Sequence, residues 1–250
     1  MTDLEYIDSH ESTETSYVKL GNNSRNLIIS FGSVNRHGGF DRKTSLLELR
    51  EKHGDVDLLY MRDTKNFMVG HGSHRQMKLL GRWYLGGLTG IGKNINHTIS
   101  FIQKIVRKYT NVICIGTSMG GYASILFGSL LSVNHVIVGN AQTDLEFVLK
   151  HTYQKGKRKI SRLSHRKKEC PATWNKFANL CNHLNESVNY QVYYSGDHVY
   201  IGNKAMGGKN EAILHSTHHL NNISSCPTVK KFNSDPGYSN FTEKTSQYLI

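Results

Sequence analysis

Six short apolar runs punctuate the chain: NLIISFG at 26–32, DVDLLYM at 55–61, NVICIG at 111–116, HVIVGN at 135–140, YQVYYSG at 190–196 and EAILHS at 211–216. Their length and their wealth of Ile, Val, Leu and Tyr predict strands buried on both faces of a parallel sheet. Between them Ile95, Ile99, Ile102, Val106 and Tyr109 recur at helical steps, as do Trp174, Phe177, Cys181 and Leu184. The alternation predicts an α/β chain, a mostly parallel sheet with helices on both faces. No internal repeat interrupts it. The opening MTDLEYIDSHESTETS has no apolar rhythm and is acidic, so residues 1–15 are expected to be flexible. The remaining 16–250 are expected to form one domain, a length that suits a single large core.

Ligands in such sheets collect beyond the carboxyl ends of the strands, so the residues after each run matter most. After NVICI come Gly116-Thr117-Ser118-Met119-Gly120-Gly121 and then the helical YASILFGSLL. This is G-x-S-x-G between a strand and a helix, where a serine held in a sharp turn projects its hydroxyl above the sheet and its neighbours must be small. Ser118 is therefore the candidate nucleophile, and the amide of Met119, at the head of the helix, a candidate oxyanion donor. The second donor is expected after the first strand, at Ser33. His37-Gly38-Gly39 resembles an HGG oxyanion motif but follows the strand too late to serve.

A nucleophilic serine needs a base and an orienting acid, which in this setting follow in the order Ser, acid, His. Asp197 follows the strand-like run at 190–196, 79 residues after Ser118, and His218 follows the run at 211–216, 21 residues further on. Asp197 and His218 are the candidate acid and base, with His219 as the alternative to His218. His198 abuts the acid and His215 falls within the predicted strand, so neither suits the role as well.

These residues resemble the α/β-hydrolase superfamily over roughly 26–222. Within it, MRDTKNF, GRWYLGGLTGIG, GTSMGGYASILFGSLL and GNAQTDLEF resemble hydrolase-like domains that accompany glycosyltransferases in surface-polysaccharide biosynthesis. Asp63, Trp83-Tyr84, Ser118 to Ala123 and Gln142-Thr143 occupy the places of that pattern, with Ala141 where the relatives carry proline. The resemblance implies a serine-hydrolase fold and a glycan-linked acyl group as substrate. Trp83 and Tyr84 are candidates for stacking on a sugar ring, with core packing as the competing role.

Charge adds one local feature. Residues 155–168, KGKRKISRLSHRKK, hold eight Lys or Arg and no acid, so two thirds of the net charge of +12 sits in fourteen residues. A cap-like insertion is expected at about 145–187, before the penultimate predicted strand, where Arg158 and Lys167 would meet an anionic substrate. Nucleic acid is disfavoured as a partner, because the charge is confined to one segment and no aromatics interleave it. The cysteines at 114, 170, 181 and 226 have irregular spacing; with His183 they make a poor zinc set, and neither metal nor cofactor is expected. No run approaches the roughly 18 apolar residues of a membrane span, and the opening lacks the apolar segment of a signal peptide, so a cytoplasmic protein is expected. The leading expectation is a serine esterase, deacylase or acyltransferase working through an acyl-enzyme. A hydrolase fold with an idle site, serving as an accessory protein, and a polyanion binder acting through 155–168 are the alternatives. Hydrolysis and transfer are indistinguishable in sequence, as is the oligomeric state.

Overall fold

The computed structural model describes residues 1–11, 15–33, 40–63, 83–152, 162–194, 217–233 and 241–249. Its centre is a seven-stranded sheet of β1 (Tyr17–Leu20), β2 (Asn26–Phe31), β3 (Val56–Met61), β4 (Asn111–Thr117), β5 (His135–Gly139), β6 (Asn189–Tyr194) and β7 (Val229–Asn233). The strands lie in the order β1-β3-β2-β4-β5-β6-β7. Only β1 runs antiparallel to its neighbour. Every residue of β2, β3 and β4 is buried, which is why these strands read as unbroken apolar runs and not as alternations.

Successive side chains leave the sheet on opposite faces. Leu27, Ile29, Phe31, Leu59, Met61, Val112 and Cys114 join one core with α3 (Ile95–Val106), α4 (Met119–Leu131) and α7 (Pro171–Phe177). Ile28, Leu58, Tyr60, Ile113 and Ile115 join the other with α1 (Asp3–Glu11) and α2 (Lys43–His53). Helix α3 is the amphipathic one the spacing predicts; Asn94 caps it by accepting the His97 N–H at 3.1 Å. Helix α4 is buried from Met119 through Ser129, which follows from its place beside β2, β4 and β5 and explains its lack of a polar face. Between β5 and β6 come α5 (Leu145–Thr152), α6 (Arg162–Glu169) and α7. Residues 217–222 form α8, and α9 (Phe241–Ser246) follows β7.

Two expectations change, and a third falls outside the described residues. Residues 3–11 of the N-terminal segment are docked: α1 buries Ile7 completely, and its acids meet α2 in the pairs Asp3–Arg50, Asp8–Lys43 and Glu11–Lys43. A single buried residue, carried among acids, hides that docking from a periodicity count. The strand expected at 211–216 lies outside the described residues. The seventh strand is Val229–Asn233, where Lys230, Lys231 and Phe232 are exposed, and lysines on an edge strand break the apolar run while discouraging edge pairing. Finally, α7 ends at Phe177. Asn179 turns the chain there, pairing with Asp144 in a short bridge and accepting the Cys181 N–H at 3.0 Å, so Cys181 and Leu184 leave the helical face.

Candidate active site

Ser118 joins β4 to α4 with φ 53° and ψ −118°. A non-glycine residue in such a conformation costs about 1–3 kcal/mol and persists only where its surroundings over-determine it. Those surroundings are visible. The Ser118 N–H donates to the Gly139 carbonyl at 3.0 Å, and its own carbonyl accepts the Tyr122 N–H at 3.0 Å. A Cβ on Gly116 would lie 2.2 Å from the Gly120 carbonyl oxygen, one on Gly120 2.2 Å from the Phe31 carbonyl oxygen, and one on Gly121 2.8 Å from the Ala141 Cβ. Three glycines thus let α4 press onto β2, β4 and the loop after β5, and the compression fixes the serine.

The bond from Tyr122 to Ser118 is the first of the helix, leaving the N–H groups of Met119 to Gly121 at its head without intrahelical acceptors. The Ser33 amide is differently placed. It donates to the Asp41 carboxylate at 2.6 Å, and the Ser33 hydroxyl donates to the same oxygen at 2.7 Å. In this conformation it is committed and does not serve an oxyanion.

The histidines sit on α8, which docks against the loop between β5 and α5. That loop also touches the elbow, through the Gln142 N–H and the Ser118 carbonyl at 3.4 Å. His218 Nε2 lies 2.9 Å from Asp144 Oδ2, and its ring stacks on Phe147 at 3.7 Å and 8°. Its side chain keeps 36% of its surface exposed, against 13% for Asp144. His219 is buried, and its Nδ1 accepts the Thr143 N–H at 3.1 Å while its carbonyl accepts the Thr143 hydroxyl at 2.8 Å. A backbone N–H can only donate, so the Nδ1 lone pair is used for folding. His218 therefore has the carboxylate and the access of a proton-transfer group, and His219 has the bonds of an anchor. Asn222 completes the joint, donating to the Thr143 carbonyl and to Asn179 Oδ1, both at 3.0 Å. An open depression of about 480 Å³ lies here, lined by Asp144, Glu146, Phe147, Leu149 and Lys150.

Among the described residues the Ser118 hydroxyl makes no hydrogen bond to either histidine. Both histidines lie, among the described residues, between β6 and β7, which begins at Val229; the run at 211–216 that they were expected to follow lies outside the described residues. Asp197 lies outside the described residues, as do His37-Gly38-Gly39, His198, His215 and Arg158. Trp83 and Tyr84 are core residues: Trp83 is 8% exposed and Tyr84 not at all. Their φ angles of 54° and 58° turn the chain tightly over Asp63, whose Oδ2 accepts the Trp83 N–H at 2.6 Å. The Tyr84 hydroxyl donates to the Gly32 carbonyl at 2.9 Å, and burial, with Asp63 and Asp41 nearby, pushes this phenol well up, so it stays a donor. Stacking on a sugar gives way to bracing the ends of β2 and β3. Lys167 pairs with Glu146 at 2.7 Å, and Glu146 also accepts the Trp174 indole N–H, so the charge is locally balanced. The cysteines are free, and no group of three potential metal ligands gathers among the described residues.

A mostly parallel sheet whose first strand is antiparallel, carrying a serine at φ 53° before a buried helix, decides the architecture. This is the α/β-hydrolase fold. No family model matches the sequence, and no curated protein matches it either. Similar solved structures include the capsule O-acetyltransferase of Neisseria meningitidis serogroup A, at TM-score 0.56 and 14% identity over 93% of this chain and 88% of that one. Mycobacterium tuberculosis MPT51 (FbpC1) aligns at TM-score 0.56 and 7% identity over 94% and 93%. The Glycosylation Associate Protein (Gap123) complex from Streptococcus agalactiae aligns at 0.55 and 12%, over 90% of this chain and 40% of that one. The candidate acid that the sequence did not single out is Asp144, marked by its contact with His218. Its signal was present: GNAQTD places an acid five residues past β5, much as Asp197 stands past β6.

Proposed function

We propose that the chain is a serine-dependent acyl-transfer enzyme, an esterase, deacylase or acyltransferase, with Ser118 as nucleophile and His218 as base. The observation that carries this is the strained Ser118 at the head of α4, held by three close glycine contacts. Ser118 Oγ attacks the ester carbonyl as His218 takes its proton. The alcohol leaves with that proton, and water or a sugar hydroxyl then opens the acyl-enzyme, its proton passing back through His218 to Ser118. The amide of Met119 is the proposed oxyanion donor. Two acids compete to orient the imidazole. Asp144 is supported by its 2.9 Å contact with His218 Nε2, which leaves Nδ1 for the serine; Asp197 is supported by chain order and would take Nδ1, freeing Nε2 from Asp144.

Likeness to a capsule O-acetyltransferase supports a glycan-linked acyl group as substrate, and the basic segment at 155–168 supports an anionic one. Work in the cytoplasm is part of the same reading. The second reading is a hydrolase fold retained as an accessory protein with an idle site. The commitment of the Ser33 amide to Asp41 favours it. Turnover of 4-nitrophenyl acetate, with and without sugar acceptors, separates the readings. The enzyme reading expects turnover in the wild type that is lost in Ser118→Ala, with transfer detected as an acetylated sugar; equal rates in the two proteins support the accessory reading.

A further inference from the structure

Four buried side-chain polar atoms lack a hydrogen-bond partner among the described residues: Arg42 Nη1, Thr98 Oγ1, His135 Nδ1 and Gln142 Oε1. Thr98 lies within α3, and His135 opens β5 at the end of the sheet away from the elbow. The other two adjoin the nucleophile. Arg42 Nη2 donates to the hydroxyl of Thr117, the residue before Ser118, at 2.9 Å. Gln142 is the residue whose N–H reaches the Ser118 carbonyl at 3.4 Å. A cationic donor and a neutral acceptor are thus left unsatisfied next to the same serine.

Leaving a buried donor unpaired costs about 1–3 kcal/mol, and more when the group is charged. Arg42 adds backbone strain, with φ 62° at the head of α2. The Asp41 carboxylate acts on its charge, yet no hydrogen bond joins the two among the described residues, and that carboxylate accepts from Ser33. Burial lowers the basicity of this guanidinium, but an arginine in a protein does not give up its proton, so the charge remains. Bracing Thr117 needs only Nη2. A planar fork pinned by one arm presents the other in a fixed direction, which is the geometry that recognises carboxylates and phosphates.

We propose that Arg42 anchors an anionic oxygen of the substrate, on a carboxylate or phosphate, beside the carbonyl that Ser118 attacks. Gln142 Oε1 accepts an O–H or N–H of the same ligand. The placement beside a reacting carbonyl rests on the proposed role of Ser118, whereas anion binding by Arg42 does not. A buried guanidinium is little screened by salt.

The first arm of the test follows thermal unfolding of Ser118→Ala against inorganic phosphate and, separately, succinate, at an ionic strength held constant with chloride. A concentration-dependent rise in Tm is expected with at least one anion, lost in Ser118→Ala/Arg42→Gln and reduced when Arg42→Lys replaces it; which anion acts identifies the group bound. A rise that ignores Arg42, or no rise with either anion, overturns the proposal. Should Arg42→Gln not fold, an undiminished rise in the lysine variant overturns it. The second arm compares kcat/KM for 4-nitrophenyl hydrogen succinate and 4-nitrophenyl acetate in 0.5 M NaCl. The ratio should fall at least about tenfold in Arg42→Gln, the loss of one charge-assisted hydrogen bond, and an unchanged ratio counts against Arg42. If Ser118 proves unreactive, the enzyme reading fails in the second arm while the first still decides Arg42.

Discussion

Replacing Gly120 by alanine tests the origin of the elbow's strain. Its Cβ would lie 2.2 Å from the Phe31 carbonyl oxygen and 2.9 Å from the Phe31 carbonyl carbon. Both atoms belong to β2, hydrogen-bonded between β3 and β4, so neither can rotate away, and α4 must move by about an ångström. Overpacking of this kind costs about 1–3 kcal/mol, the upper end applying to backbone, while alanine returns up to about 1 kcal/mol of helix propensity. A net loss of about 2 kcal/mol corresponds to a fall in Tm of about 4–8 °C for a chain of this size. The same movement displaces Ser118, and a misplacement near 1 Å costs about a hundredfold in rate. Calorimetry alongside fluorophosphonate labelling should show both effects. Gly128→Ala is the control in the same helix, because its Cβ meets a Val136 side-chain methyl at 2.4 Å; it should lose stability but keep labelling. A Gly120→Ala protein with wild-type Tm and wild-type labelling would refute the claim that close backbone approach holds the serine.

The two histidines should separate cleanly: His218→Ala should abolish ester turnover with a small change in Tm, while His219→Ala, losing buried bonds to Thr143, should cost about 2–3 kcal/mol in urea unfolding. The reverse pattern would exchange their roles. Asp144→Asn and Asp197→Asn identify the orienting acid by kcat, since the one that holds the imidazole should lose turnover steeply and the other little. Burial lowers the His135 pKa from its ordinary 6.5, so the unfolded chain binds the extra proton. Stability is therefore full above about pH 6.5 and declines as pH falls from there toward the folded pKa. His135→Phe, which keeps a ring against Tyr248, should flatten that part of the Tm–pH curve, and an unchanged slope would remove His135 as its cause.

Much of this architecture was legible because its central strands are buried on both faces and so write themselves as apolar runs. The elbow was legible for a related reason: Gly116, Ser118 and Gly120 are demanded by contacts within about ten residues and with the two strands that flank β4. What escaped lies at the margins or depends on distant contacts. Helix α1 carries one buried residue, Ile7, and β7 is an edge strand interrupted by lysines. Trp83 and Tyr84 have the chemistry of a sugar platform, and only their burial beneath α4 and against Phe31 shows otherwise. The pairing of His218 with Asp144 joins residues 74 positions apart, and one acid after a strand looks like another until the chain is folded.

The central claim is that Ser118 is a covalent nucleophile, and intact-mass spectrometry after fluorophosphonate treatment, followed by peptide mapping, tests it most directly. The account predicts a single adduct, mapped to the peptide containing Ser118, that is absent from Ser118→Ala and slowed in His218→Ala. A wild-type protein that gains no adduct, or gains it equally in Ser118→Ala, would contradict the account.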